Sequence, residues 1–350
     1  MSDIRRVLAA DGAGRISVIE EPMPSPEPGT VLVEVSASMI SPGTELGGVS
    51  RRREKPSDGA PRPFGYSNAG VVVAVGEGVD RLEVGDRVAC MGGGYAQHAT
   101  HCCVPQNMAV PIPGSVSDDD AASVHLVATS LNAVRRLDPE IAESTAVVGM
   151  GLVGNFATQW LRVAGCHVVA LDRLQMRLDK ADVCGAHLCV DPTADGGEDA
   201  VRTFTRNRGL DGAIMAFGGD GTPAFKMLVS LIKRAPDTHQ MGRVVIVGGA
   251  RIDHQFAAAL GNLDVRSAAR TGPGYHDDDW ERGADYPPVF VRWTTNRNME
   301  TCLDYIARGD LKVDPLITHR VSLGHAPDAC EDLIQRPNIA LGVVIYPKGS

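Results

Sequence analysis

The chain has 350 residues, enough for two domains at about 150 residues each. Its 34 Lys plus Arg stand against 43 Asp plus Glu, a formal charge of −9 that gives no pull toward a phosphate backbone and argues against nucleic acid as a partner. With 43% apolar and 22% charged residues the composition is that of a globular chain; no apolar run is long enough to span a membrane, and the glycines follow no collagen period.

The first residues, Met1–Arg6, hold no apolar core of a secretion signal. The eight cysteines (Cys90, Cys102, Cys103, Cys166, Cys184, Cys189, Cys302 and Cys330) form no C-x-x-C pair and no zinc-ribbon spacing. Reduced thiols in a cytoplasmic protein are therefore expected. The vicinal pair Cys102-Cys103 is a candidate redox switch, although cysteine as a small core residue is the plainer reading.

Residues 1–115 read as β-rich. Val31–Val35 and Gly70–Val75 are β-branched runs bounded by Gly and Pro, and Gly85-Asp86 makes a turn into another strand at Arg87–Ala89. The polar stretch Arg51–Gly59 is expected to be a loop. Asp118-Asp119-Asp120 are expected to cap a helix starting at Ala121. From about 145 to 270 strands alternate with helices: Ala146–Val148, His167–Leu171, Gly212–Ala216, Val244–Val247 and Asp264–Ser267, with helical stretches such as Gly154–Ala164 and Leu174–Cys184 between them. That alternation predicts a doubly wound parallel sheet. The run Met299–Ala307 puts Cys302, Leu303 and Ile306 on one helical face, and Ala340–Tyr346 is the final strand.

The sharpest motif is Gly149-Met150-Gly151-Leu152-Val153-Gly154, between a strand and a helix. In that setting G-x-G-x-x-G binds a dinucleotide: the first glycine turns the chain, the second lets pyrophosphate reach the backbone, and the third lets helix and strand pack. The helix N-terminus adds N–H donors to the phosphates. Asp172 stands 18 residues after Gly154 at a strand end, where a carboxylate accepts the ribose hydroxyls of NAD and repels a 2′-phosphate. The alternative for Asp172 is a plain helix cap. Arg173, beside it, would tolerate a phosphate, yet the carboxylate favours NAD over NADP. Gly218, Val247 and Gly248 close two later strands, where ligands of such sheets lie, although glycine turns alone would also account for them.

These motifs, with Gly43-Thr44-Glu45, Gly65–Gly70, Val84–Val88 and Gly242–Gly248 in this order, resemble those of the medium-chain dehydrogenase/reductase superfamily over nearly the whole length. The resemblance implies an α/β protein: a GroES-like β-rich catalytic domain (1–125), an inserted Rossmann NAD-binding domain (126–290) and a C-terminal return to the catalytic domain (291–350). Ser41-Pro42-Gly43-Thr44-Glu45, Thr271–Tyr275, Val291–Glu300 and Leu316–Arg320 are similar to a branch that looks like sugar or cyclitol dehydrogenases. A homodimer through the edge strand Leu263–Ser267 is expected, with a homotetramer as the alternative, since an unpaired edge invites its own copy.

The chain departs from the zinc-dependent pattern at its metal. Pro42 stands where the first Cys ligand belongs, Tyr66-Ser67 replace the Gly-His-Glu ligands, and His125 falls at the later Cys position. The structural-zinc lobe is missing after Val88. Catalytic zinc wants three protein ligands and an open position, so no metal is expected. A substitute set from His98, His101 and Cys102 or Cys103 is disfavoured, because His98 and His101 are read as lying in a strand, where positions three apart face opposite sides.

Without zinc, a base must take the alcohol proton and a donor must hold the developing alkoxide. The resemblance places His125 and Tyr66 at vacated ligand positions, suited to those two tasks, the alternative being that they only fill space. Thr44 matches the family's relay hydroxyl and Thr129 a residue near the nicotinamide. Glu45 and His98 are secondary acid/base candidates, better read as structural. Tyr275, His276, Trp293 and Arg297 are candidates for a substrate loop. The expected function is NAD-dependent hydride transfer to or from a secondary alcohol of a small polar sugar or cyclitol. The alternatives are a zinc-free enone or quinone reductase using NAD(P)H and a non-catalytic NAD-binding redox sensor.

Overall fold

The structure, a computed structural model, describes residues 4–349, so Met1, Ser2 and Asp3 of the N-terminal stretch lie outside the described residues. The chain divides into unit 1, Met1–Ala128 with Thr271–Ser350, and unit 2, Thr129–Arg270.

In unit 1 the strand Thr30–Met39 is the hub of a seven-stranded sheet. It pairs antiparallel with Ser67–Val75, with His101–Pro105 and with the C-terminal strand Gly342–Tyr346. Arg87–Met91 and Ala109–Pro111 extend one side, and Ile317–Ser322 runs parallel to Gly342–Tyr346 on the other. Val31, Val33 and Val35 share one face of the hub and are fully buried, the period-2 pattern of a strand. A three-stranded sheet has Ile4–Ala10 at its centre, paired antiparallel with Ile16–Pro22 on one side and Arg62–Pro63 on the other. The helix Ala326–Gln335 sends Ala329, Cys330 and Leu333 into a core shared with Leu8, Ile40, Leu46, Val343 and Ile345. Spacings of three and four put those residues on one helical face.

Unit 2 is a six-stranded, all-parallel sheet in the spatial order Leu188–Val190, His167–Leu171, Ser144–Val148, Gly212–Met215, Met241–Val247, Asn262–Ala268. The order reverses between Ser144–Val148 and Gly212–Met215, the switch point where such sheets bind ligands beyond their carboxyl ends. Asn262–Ala268 is an edge strand, as its sequence implies. Helices Leu152–Val163 and Gln175–Val183 follow the first two strands of the unit. The strand Leu188–Val190 carries too short an apolar run to be read in advance.

Three expectations are corrected. Arg51–Gly59 is not wholly loop, because Gly47–Glu54 is a helix. Its arginines are anchored: Arg52 donates to the carbonyl of Ala10 at 2.8 Å, and Arg53 donates to the carbonyl of Gly14 at 3.0 Å and pairs with Glu331. Second, Ser117 is the cap that accepts from the Asp120 N–H, and the three aspartates form the first turn of a short helix, Asp118–Ala121. Third, residues 271–290 pack with unit 1 rather than with the dinucleotide unit. Gln106 donates to the carbonyl of Arg282 at 2.7 Å, Asn107 donates to that of Trp280, and the Tyr95 hydroxyl donates to Glu281 at 2.7 Å. Among the described residues, no helix is long and apolar enough to cross a membrane.

Candidate active site

The glycine loop of unit 2 follows Ser144–Val148. Gly149 has φ +93°, which a side chain would resist. A Cβ on Gly154 would stand 1.9 Å from the carbonyl oxygen of Gly149, so only glycine lets helix Leu152–Val163 seat against the loop. A Cβ on Gly151 would meet nothing within 4 Å, and Gly151 caps that helix without a side-chain hydrogen bond. Open space above uncapped N–H groups at Leu152, Val153 and Gly154 is what a pyrophosphate requires. Asn155 fixes the loop, its amide donating to the carbonyls of Met150 (2.8 Å) and Gly151 (3.1 Å). Nothing in the motif itself signals that role.

Asp172 reaches back to the same loop. Its Oδ2 accepts from the Met150 N–H at 2.7 Å and its Oδ1 from the Leu174 N–H at 2.9 Å. Each carboxylate oxygen keeps a second lone pair for a ribose hydroxyl. Arg177 comes within 3.8 Å of Oδ2, while Arg173 is exposed. Gly218 follows Gly212–Met215, and Val247 and Gly248 end Met241–Val247, Gly248 with φ +105°. Thr129, half-buried in helix Val124–Leu137, is the first residue of unit 2. The loop and Asp172 therefore fit a bound dinucleotide.

In unit 1 the polar cluster gathers around His125, the second residue of Val124–Leu137. The imidazole is buried, and its Nδ1 lies 3.0 Å from the backbone oxygen of Tyr66. A carbonyl only accepts, so Nδ1 carries the proton and Nε2 carries the lone pair. Burial pushes the pKa of His125 down to about 4, against the opposing pull of that hydrogen bond and of the Glu45 carboxylate. The ring is thus neutral at pH 7. Ser67 sets the backbone, its hydroxyl donating to the Ala122 carbonyl at 2.6 Å and accepting from the His125 N–H at 3.4 Å.

The Tyr66 ring lies 4.2 Å from that of His125, centroid to centroid. Burial and the nearby Glu45 carboxylate hold its phenol protonated far above the usual range, opposed by hydrogen bonds from Ser41 and Thr44. Tyr66 therefore stands beside both Thr44 and His125. The Glu45 side chain is buried: Oε2 accepts from the Ser41 N–H at 2.7 Å and lies 3.3 Å from His98 Nε2, and Oε1 has no hydrogen-bond partner among the described residues. His98 is fully buried, with Nδ1 3.0 Å from the Ser38 hydroxyl, a contact with no sequence signal.

His98 does not lie in a strand as expected; it precedes His101–Pro105 in an irregular segment. His101 faces Glu34 at 3.7 Å instead, and burial lowers its pKa. Cys102 is buried with its thiol pushed up to about 12, and Cys103 on the same strand to about 11, burial being the main cause for both. The Tyr275 ring meets His125 edge-on at 6.4 Å, and its hydroxyl accepts from the Gly93 N–H at 2.7 Å. Arg297 is engaged by Asp285 and by the Val291 carbonyl, and Trp293 is covered by the Arg292 guanidinium at 4.6 Å.

Two family models match the chain, the alcohol dehydrogenase GroES-like domain over residues 27–114 and the zinc-binding dehydrogenase over 153–283. The chain belongs to the medium-chain dehydrogenase/reductase superfamily. It is an enzyme of the medium-chain alcohol dehydrogenase type, an oxidoreductase. Sorbitol dehydrogenase of Bacillus subtilis (strain 168) is 24% identical over 316 residues, 82% of each protein. The fold matches an Escherichia coli alcohol dehydrogenase solved with NADH (TM-score 0.76, 20% identity, 99% of this chain and 100% of that one). It also matches a zinc-binding dehydrogenase of Sinorhizobium meliloti 1021 bound to NADP (TM-score 0.78, 20% identity, 99% and 100%).

For this medium-chain dehydrogenase the donor set does not fit a catalytic zinc. Pro42 has no donor atom, and the Ser67 hydroxyl is turned to the Ala122 carbonyl. Both ring nitrogens of His98 face protein groups, Ser38 and Glu45. Among the described residues no three His, Cys, Asp or Glu side chains gather as metal ligands.

Proposed function

We propose that this enzyme is an NAD-dependent dehydrogenase that oxidises a secondary alcohol of a small sugar- or cyclitol-like substrate, or reduces the matching ketone, without catalytic zinc. The observation that carries it is the His125 tautomer: Nδ1 is committed to the Tyr66 carbonyl, which leaves Nε2 as a neutral base. NAD, when bound, supplies the hydride acceptor. Gly149, Gly151, Leu152, Val153 and Gly154 hold its pyrophosphate, Asp172 reads its ribose with Arg173 and Arg177 nearby, and Thr129, Gly218, Val247 and Gly248 offer small or polar contacts to the remainder. His125 Nε2 accepts the hydroxyl proton as the carbinol C–H leaves as hydride, so a C–O–H becomes C=O. Tyr66, with Thr44 beside it, donates a hydrogen bond to the oxygen that develops charge.

Polyol dehydrogenase relatives support the substrate class, and the NADH-bound neighbour supports the cofactor. The NADP-bound neighbour keeps the phosphate-carrying cofactor as the second reading, on the specific ground that two arginines flank Asp172. The edge strand Asn262–Ala268 supports a homodimer, and eight free cysteines suit the cytoplasm. The test is NAD reduction by a panel of secondary alcohols, with the metal content of the purified enzyme measured in parallel. Turnover that chelators leave intact, in protein with far less than one zinc per chain, is the expected result. Stoichiometric zinc with chelator-sensitive turnover would overturn the reading.

A further inference from the structure

Within unit 1, His276 has a backbone φ of +75°. That left-handed conformation is disfavoured for a side-chain-bearing residue and persists only where its surroundings hold it. Glu281 is the group that holds it. This carboxylate is 2% exposed; its Oε1 accepts from the His276 N–H at 2.8 Å and its Oε2 from the Tyr95 hydroxyl at 2.7 Å. The Tyr95 phenol is pushed up to about 12 by burial and by that hydrogen bond, so it remains a donor.

The strained backbone lays the imidazole of His276 flat on the Tyr275 ring, with centroids 3.9 Å apart and 21° between planes. Tyr275 is fixed in turn by the Gly93 N–H and meets His125 in a T-shaped contact, with 85° between the ring planes. A buried charge, a strained residue and an aromatic stack therefore end beside the proposed base, while His276 itself stays exposed. Strain that persists in this way marks ligand-clamping positions.

We propose that His276, held flat on Tyr275 by Glu281, is the platform on which the substrate lies next to His125, and that it selects an uncharged cyclic polyol. The inference rests on the dehydrogenase reading above and sharpens its substrate class. The C–H face of a sugar or cyclitol ring is rigid and slightly positive, and it complements the electron-rich face of an aromatic ring. A linear polyol presents no such face and must freeze several bonds to imitate one. Charge adds a second filter. Asp277, Asp278, Asp279 and Glu281 crowd residues 271–281, which end in the short helix Asp278–Glu281 and hold no Lys or Arg. Arg270 precedes this stretch, and the first cation after it, Arg282, is taken by Glu27 and the carbonyl of Pro28. A phosphorylated substrate would meet net repulsion there.

The test is saturation-transfer NMR on the NADH-loaded enzyme with myo-inositol, sorbitol and glucose 6-phosphate, with the Tm of each variant measured alongside. Wild type should saturate the ring protons of inositol at least about fivefold more strongly than sorbitol or glucose 6-phosphate. His276→Gly should lose about tenfold of that signal while its Tm rises by about 2 °C, because glycine accepts the positive φ without strain. A residue with a merely structural role would not move these readouts in opposite directions. Glu281→Gln should lose the inositol signal while still binding NADH. The proposal is overturned if His276→Gly binds inositol like wild type, if its Tm falls, if sorbitol or glucose 6-phosphate binds wild type as well as inositol does, or if inositol gives no signal. Failure of the dehydrogenase reading shows separately, as bound inositol with no polyol-dependent reduction of NAD.

Discussion

His125 hydrogen-bonds the backbone of the same residue whose ring it faces: Nδ1 lies 3.0 Å from the Tyr66 carbonyl oxygen, and the two rings stand 4.2 Å apart at 44°. One tyrosine thus fixes the tautomer of the base through its main chain and offers its phenol beside it. The two groups are set as a unit, so removing either disturbs the other.

The His125→Ala enzyme should lose on the order of 10²–10⁴ in kcat with a secondary alcohol, the usual worth of a positioned general base. NADH affinity should change little, because the glycine loop is untouched. Steady-state rates and fluorescence titration check both halves, and a variant that keeps more than about a third of the rate would remove His125 from the role.

Acid should destabilise the enzyme through the same ring. His125 titrates at about 4 folded and near 6.5 unfolded, so between those values the unfolded chain binds more protons. The stability from a neutral His125 is complete above pH 6.5, falls as the pH drops, and is gone below about pH 4, a loss of up to about 3 kcal/mol. Urea unfolding at pH 7 and 4.5 should show a clearly smaller drop for His125→Gln than for wild type.

Two alanine substitutions in one loop should separate folding from binding. Gly151→Ala adds a methyl group to open space at φ −68°, so its Tm should match wild type while NADH binding weakens at least about tenfold. Gly154→Ala drives a methyl group to 1.9 Å from the Gly149 oxygen, so its Tm should fall. Thermal scans with NADH titration compare the pair, and Gly151→Ala binding NADH normally would contradict the role given to that space.

Asp172→Ala should narrow the preference for NADH over NADPH, since it removes both the ribose acceptor and the charge that repels a 2′-phosphate. The loop should loosen as well, because the Met150 N–H loses its partner at 2.7 Å. Parallel fluorescence titrations with the two nucleotides give the ratio; an unchanged ratio would assign the discrimination elsewhere.

The parallel sheet was legible because its strands are continuous apolar runs between helices, and Asp172 because a strand end places it. That Tyr66, Thr44 and His125 belong to one site is what the family resemblance implies, and no pattern in the residues themselves announces it. The helix Gly47–Glu54 was hidden because its order comes from distant partners, Ala10, Gly14 and Glu331, rather than from its own polar sequence. His98 was misread for a similar reason: its place is set by Ser38 and Glu45, which lie some fifty to sixty residues away. In the sequence Glu281 only closes the acidic run Asp277–Glu281, and nothing there sets it apart. Only folding shows that it is buried on Tyr95 and His276.

The strand Gly342–Tyr346 pairs with Ser38 and Met39 near the opposite end of the chain. On a ribosome this imposes a waiting time. The hub strand emerges early, yet its last neighbour is made some 300 residues later, about 15–60 s at 5–20 residues per second. Residues 129–270 are contiguous and can complete their own sheet during that interval. The earlier unit meanwhile carries an open strand edge that a second nascent chain, or a chaperone, is free to meet.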